Sequence, residues 1–304
     1  MMEIPADYRA GYVAIIGKPN VGKSTLLNSM LDFKLSIISP RPQTTRRRVM
    51  GIVSKEHYQA IFLDTPGILE PRYQLQVVMM NQVVSAVYDA DVLLYLVEMW
   101  DSVKGDRDTF GDIAKSLKEI NPARKPVICA INKIDLFEKH KLLPVMERLS
   151  ALNLFTAIIP ISALKEDGLN SLETEITRFL PLNPPFYDPE ILTEQPERFF
   201  AAEFIREQIF LRFSQEIPYA TEVQIDEYKE RENGKDLIMA VIYVERDSQK
   251  AILIGKNGAA LKAIGSAARK SIELFTEREI YLDLRVKVNK EWRRNEKQIR
   301  RFGY

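Results

Sequence analysis

Residues 17–24 read GKPNVGKS, after the apolar run GYVAII (residues 11–16) and before TLLNSML (residues 25–31), whose apolar residues recur at helical spacing. A G-x-x-x-x-G-K-[ST] loop between a strand and a helix is a phosphate cradle. Gly17 and Gly22 let the backbone through Lys18, Pro19, Asn20 and Val21 wrap its N–H groups around a phosphate chain. Lys23 adds a point charge near the far end of that chain. Ser24 can place its hydroxyl on Mg²⁺, and the helix running on through Thr25 contributes its positive dipole end.

Outward from the loop, strands and helices alternate. Residues 45–54 and 58–64 read as a strand pair, ADVLLYLVE (90–98) and KPVICAIN (125–132) as buried strands, and AIIPIS (157–162) as a last strand. Helical spacing appears in residues 73–88, in RDTFGDIAKSLKEI (107–120), in KLLPVMERLSAL (141–152), where Pro144 marks a first turn, and in LNSLETEITRFL (169–180). Such alternation predicts an α/β domain with a mostly parallel sheet covered on both faces.

Three further segments select the ligand. In AIFLDTPGILEP (60–71) an apolar strand delivers Asp64 to the magnesium shell opposite Ser24, commonly through a water. Thr65 and Pro66 complete the turn, and Gly67 offers a backbone N–H that reports whether a terminal phosphate is present. In NKID (132–135), Asp135 accepts from the ring N–H and the exocyclic amine of guanine, a pair adenine cannot supply. Lys133 lays its stem along the base and Asn132 ends the preceding strand. In the SAL segment, Ser162, Ala163 and Leu164, the Ala163 N–H is placed to meet the guanine oxygen.

In this order and spacing the segments resemble the GTP-binding domain of the translation-factor-related GTPases. That resemblance implies a mobile loop, switch I, between the first helix and second strand, supplied here by ISPRPQTTRRR (38–48). Thr45, with Thr44 as the alternative, then closes on Mg²⁺, and residues 67–80 form switch II. Two positions depart from the pattern. Relatives often carry SAK where this chain has SAL, and Ile68 stands where Ras-like members place a water-orienting glutamine. No catalytic group is therefore identified. Asn20 resembles the asparagine of GTPases that hold K⁺ beside the phosphates, which makes it the candidate K⁺ ligand.

Residues 181–197, PLNPPFYDPEILTEQPE, carry five prolines and read as an interdomain linker. The predicted organisation is a GTPase domain over 1–180, this linker, and a second domain over 198–304. In that second part a helix precedes two strands, then LIGKNGAALK (253–262), then the strand YLDLRVKV. The GxxG of Gly255, Lys256, Asn257 and Gly258, with Lys262 behind it, suits a clamp on single-stranded nucleotides. The element order resembles an α+β type II KH domain. The tail adds Arg293 and Arg294 beside Trp292 and Phe302, arranged for phosphate pairing with stacking or for docking of the aromatics on the domain.

The bulk numbers agree with two soluble domains: 304 residues, 46% hydrophobic, 28% charged. The net charge of +1 hides an asymmetry, since residues 250–304 hold 14 Lys+Arg against 6 Asp+Glu, a basic end that suits a polyanion. One cysteine, Cys129, and two histidines, His57 and His140, disfavour an internal disulfide, a His/Cys zinc site and a His-based nucleophilic relay. No run is long enough to span a bilayer and no secretory leader layout opens the chain, so the expected location is the cytoplasm.

Together the two halves are similar to the member of the TrmE-Era-EngA-like GTPase family that carries a C-terminal KH domain. This resemblance implies Mg²⁺ and GTP or GDP as ligands and a monomer that binds 16S ribosomal RNA near its 3′ end. It also implies a role in rRNA processing and 30S subunit biogenesis, with peripheral contact to the inner membrane. Lacking a glutamine or a supplied arginine, intrinsic hydrolysis is expected at roughly 10⁻⁴ to 10⁻² per second. The alternative is an RNA-binding chaperone in which guanine nucleotide biases conformation and hydrolysis is incidental.

Overall fold

The computed structural model describes residues 5–99 and 109–304; Arg107 and Asp108, at the start of one expected helix, lie outside them. Two compact units emerge. The first comprises Met1–Ser36, Thr45–Glu70 and Met79–Glu194, and the second Ile37–Thr44, Pro71–Val78 and Gln195–Tyr304.

The first unit holds a six-stranded sheet of order β2-β3-β1-β4-β5-β6, formed by β1 (Arg9–Gly17), β2 (Val49–Ser54), β3 (Tyr58–Asp64), β4 (Val92–Glu98), β5 (Val127–Asn132) and β6 (Ala157–Pro160). Only β2 runs antiparallel, against β3; the other pairs are parallel. Strands such as YQAIFLD and VICAIN are buried along their whole length, as parallel strands covered on both faces must be. The covering helices are α1 (Lys23–Leu31), α2 (Gln74–Asp89), α3 (Thr109–Ile120), α4 (Leu142–Ser150) and α5 (Leu169–Phe179). Phe110, Ile113 and Leu117 of α3 join the same apolar cluster as Leu93, Tyr95 and Cys129 of the sheet.

Register does the functional work. Ile15 lies opposite Asp64, Gly17 opposite Leu96, and Glu98 opposite Asn132, so the carboxyl ends of β1, β3, β4 and β5, three of them motif-bearing, lie along the same edge of the sheet. Strand order reverses at β1, between β3 and β4, and the crevice outside the carboxyl ends at such a reversal is where open α/β sheets bind ligands.

The proline-rich segment does not hang free. Its residues up to Glu194 belong to the first unit. Buried Gln59 of β3 accepts from the Phe186 and Tyr187 N–H groups at 2.7 and 3.0 Å and donates to the Tyr187 carbonyl at 2.9 Å. The Ile52 N–H donates to the Leu192 carbonyl at 2.8 Å, and the Asn183 side chain to the Ala10 carbonyl at 3.1 Å. Prolines remove donors from this stretch, but these remaining donors and carbonyls are satisfied by the sheet.

The second unit packs α6 (Glu197–Arg212), the short α7 (Ile217–Ala220), α8 (Asp247–Ile254), α9 (Ala259–Thr276) and α10 (Glu296–Arg301) with a sheet of order β7-β8-β9. Its strands are β7 (Glu222–Lys229), β8 (Asp236–Val244) and β9 (Ile280–Val288); β7 is antiparallel and β9 parallel to β8. The core is aromatic, with Phe275 at 4.8 Å from Phe200 and 5.4 Å from Phe204. Of the two readings of the tail aromatics, docking is the one realised. Trp292 is fully buried, donates to the Ala220 carbonyl at 2.9 Å and meets Phe302 edge-on at 5.2 Å.

Candidate nucleotide site and the glycine loop of the second unit

The phosphate loop closes on its own lysine. Lys23 is buried, and its ammonium donates to the carbonyls of Gly17 and Lys18 at 3.2 and 2.9 Å. Burial lowers its pKa to about 8, partly offset by the Asp64 charge. Carbonyls thus hold the ammonium at the loop.

Around Asp64 three hydroxyls converge. Ser24 Oγ donates to Asp64 Oδ2 at 2.7 Å and shares a 2.8 Å hydrogen bond with Thr45 Oγ1; Ser36 Oγ donates to the same carboxylate oxygen at 3.1 Å. Asp64 Oδ1 is buried with no hydrogen-bond partner among the described residues. A hydroxyl, a second hydroxyl from switch I and a carboxylate with one bare oxygen form a hard-oxygen donor set that fits Mg²⁺ and its waters. Thr45, not Thr44, makes this approach; Thr44 Oγ1 is engaged by Ser39 at 2.9 Å and donates to the Arg41 carbonyl at 2.8 Å.

Burial raises the Asp64 pKa to about 6, against lowering by the Ser24 hydrogen bond, the Lys23 charge and the Ser36 hydrogen bond. An acid whose folded pKa exceeds its unfolded value stabilises the fold at low pH, and that contribution is lost as pH rises through roughly 4 to 6. Asp64→Asn is therefore expected to raise the stability of the nucleotide-free protein at pH 7 by on the order of 1–3 kcal/mol, while hydrolysis should need a higher Mg²⁺ concentration. Thermal denaturation at pH 7 and towards pH 4 checks this, because the gain should shrink as pH falls.

The DTPG turn lies against the phosphate loop. A side chain on Gly67 would place its Cβ 2.6 Å from the backbone nitrogen of Pro19, so only glycine allows the approach. Thr65 Oγ1 donates to the Ile15 carbonyl at 2.7 Å. The Ile68 N–H donates to the Gly17 carbonyl at 2.9 Å while its side chain packs on the sheet's apolar cluster. Residue 68 thus clips the turn to the phosphate loop through its backbone, and its apolar side chain belongs to the core.

At the base end, Asn132 Nδ2 donates to the Val21 carbonyl at 2.8 Å, tying the base-selecting strand to the phosphate loop. Ser162 Oγ donates to Asp135 Oδ1 at 2.6 Å. Lys133 Nζ donates to the Asn20 carbonyl at 2.8 Å and pairs with Glu98 at 3.0 Å. The SAL segment lies beside this strand end. The Ala163 N–H donates to Asn132 Oδ1 at 2.9 Å, so it holds that side chain, and Leu164 is 73% exposed. Glu98 was not singled out from the sequence; its only mark there is an acid ending an apolar strand.

In the second unit the GKNG turn joins α8 to α9. Gly255 has φ 72° and Gly258 φ 76°, and a Cβ on Gly255 would sit 2.7 Å from Ala260, whereas one on Gly258 would meet nothing within 4 Å. Lys256 and Asn257 are exposed, with Asn257 also left-handed at φ 52°. Beyond Gly258 a groove of about 660 Å³ runs between α9 and β9, lined by Lys262, Ser266, Arg269, Lys235 and Tyr281. Positive charge, bare backbone and an exposed aromatic suit a single-stranded polyanion. The two tail arginines part company: Arg294 is exposed, whereas Arg293 pairs with Glu245 and stacks 5.1 Å above the Tyr73 ring. Arg293 thus acts as an internal strut, because its charge is already neutralised at half-buried depth.

A family profile described as a 50S ribosome-binding GTPase matches residues 12–133, and a KH-domain profile matches residues 216–293. Among curated proteins, the chain is 42% identical over 298 residues to GTPase Era of Ruminiclostridium cellulolyticum, covering 98% of both chains. It is 44% identical over 301 residues to GTPase Era of Geobacter metallireducens, again at 98% of each. A crystal structure of Era in complex with MgGDPNP and nucleotides 1506–1542 of 16S ribosomal RNA matches with a TM-score of 0.92 at 40% identity, covering 98% of this chain and 99% of that one. A single-residue variant of Aquifex aeolicus Era bound to GDP·AlF4⁻ matches with a TM-score of 0.91 at 40% identity, covering 97% and 99%.

Proposed function

This chain belongs to the Era family of GTPases, and on that footing we propose that it is a GTP-driven switch that carries a 16S rRNA-binding hand into assembly of the 30S subunit. GTP hydrolysis to GDP and phosphate is the family's reaction. The observation that carries the switch is the way each mobile loop is divided. Thr45 stands with the phosphate loop, while Ile37–Thr44 and Pro71–Val78 group with the glycine-loop unit. Within that second unit the Ile38 N–H donates to Glu207 at 3.1 Å, the Arg41 guanidinium donates to the Phe210 carbonyl, and Tyr73 lies under Arg293. A terminal phosphate that orders Thr45 and Gly67 therefore acts on chain segments continuous with those contacts.

Mg²⁺, when bound, neutralises charge on the phosphates. Ser24, Thr45 and Asp64 would hold it, Lys23 compensates the far phosphates, and Asp135 selects guanine. The proposed division is a GTPase part through residue 180, the proline-rich segment 181–197, and a KH part over 198–304, with Gly255, Lys256, Asn257, Gly258, Lys262 and Arg294 meeting RNA. A monomer in the cytoplasm with peripheral inner-membrane contact rests on family likeness; among the described residues no helix is long and apolar enough to cross a membrane.

The deciding experiment is RNA affinity in GDP, in GTP and in a non-hydrolysable analogue. The switch requires the analogue to differ from GDP by about fivefold or more; equal affinities in all three would leave an RNA chaperone with incidental hydrolysis. A GTP hydrolysis assay run in K⁺ and in Na⁺ tests a cation beside Asn20, whose left-handed backbone carries its carbonyl to Lys133. Rates indifferent to the exchange remove K⁺ from the mechanism.

A further inference from the structure

We infer that Ser36, which lies outside every motif of the nucleotide site, is the positioning residue that aims Asp64 at the cation shell, and that Asn28 holds Ser36 in place. Asn28 of α1 accepts from the Leu35 and Ser36 N–H groups at 3.0 and 2.8 Å and donates to the Ser36 carbonyl at 2.8 Å. Three bonds to one side chain fix the backbone of residues 35 and 36. Ser36 is 2% exposed, and its hydroxyl donates to Asp64 Oδ2 at 3.1 Å.

The consequence is a directed carboxylate. Asp64 ends β3, where ladder partners Ile15 and Val49 fix its backbone, so its remaining freedom is side-chain rotation. The Ser24 hydroxyl alone would leave that rotation weakly restrained. With Ser24 and Ser36 both donating to Oδ2, the carboxylate plane is set and Oδ1 is the bare oxygen. Ser36 and Thr45 also bracket Ile37–Thr44, the switch segment assigned to the other unit. Ser36 and Thr45, the first-unit residues that flank it, thus both meet the Asp64–Ser24 pair, Ser36 through Asp64 Oδ2 and Thr45 through Ser24 Oγ.

This rests on the magnesium–guanine nucleotide reading of the site, and its test needs no turnover. Release of a fluorescent GDP from the full chain is followed against free Mg²⁺, with EDTA as the metal-free limit. For Ser36→Ala the Mg²⁺ concentration that half-slows release should rise about tenfold, the weight of one hydrogen bond to a carboxylate. Release in EDTA should match the parent. Ser36→Thr, which keeps the hydroxyl, should bring the midpoint back to within about threefold of the parent, and Asn28→Ala should shift it in the direction of Ser36→Ala. An unchanged midpoint in Ser36→Ala, or release accelerated equally in EDTA, would make Ser36 a packing residue and overturn the inference. A parent whose GDP release ignores Mg²⁺ would overturn the metal site itself, a result distinct from a shift missing only in the variants.

Discussion

Asp135→Asn is expected to raise the dissociation constant for GDP by about 10²- to 10⁴-fold and to move preference from guanine to xanthine. In the proposed pairing the carboxylate would accept two donors from guanine, each a charge-assisted hydrogen bond of roughly 1.5–3 kcal/mol. An asparagine keeps one acceptor and turns its amide N–H₂ towards the exocyclic amine, so one bond is lost and two donors face each other. Xanthine carries an oxygen where guanine carries that amine, and the asparagine amide can donate to it. Ser162 still orients the side chain, since its hydroxyl already holds Asp135 Oδ1 at 2.6 Å. Calorimetric titration with GDP, XDP and ADP reads all three affinities. A variant that kept its preference for GDP would show that some other group selects the base.

Gly258→Asp is expected to weaken RNA binding by at least about thirtyfold with GDP affinity unchanged. Two effects add. The glycine sits at φ 76°, a conformation L side chains adopt with strain, and it opens onto the basic groove, where an added Cβ would meet no atom within 4 Å. A carboxylate there would face the phosphates a GxxG clamp must approach. Gly258→Ala separates the two, because it keeps the strain without the charge, and should cost less than Gly258→Asp. Filter binding of a single-stranded 16S 3′-end RNA provides the measurement, and equal binding by parent and Gly258→Asp would reduce the loop to a helix-to-helix turn.

The chemistry of the site was legible because it is written in contiguous segments. GKPNVGKS, DTPG, NKID and the IGKNG loop each specify their own strand, turn and helix start, and apolar runs such as VICAIN announce strands buried on both faces. The proline-rich stretch was harder. Its composition says that it breaks helices and central strands, but not that Gln59, more than a hundred residues earlier, supplies three hydrogen bonds to it. Adjacent arginines were indistinguishable for the same reason: nothing local separates Arg293 from Arg294 until Glu245 and Tyr73 claim one of them.

By itself, then, the chain's sequence determined the α/β nucleotide fold, the guanine preference and the presence of a glycine-loop second domain, all properties of short segments with strong local preferences. Tertiary structure alone decided which groups stand around those segments. Parallel pairing of β1 with β3 brings Asp64 beside Ser24, Asn28 carries Ser36 to the same carboxylate, and β4 beside β5 sets Glu98 against Lys133. Most of these partners are separated by tens of residues, and their distances follow from strand register and core packing, which no local pattern encodes.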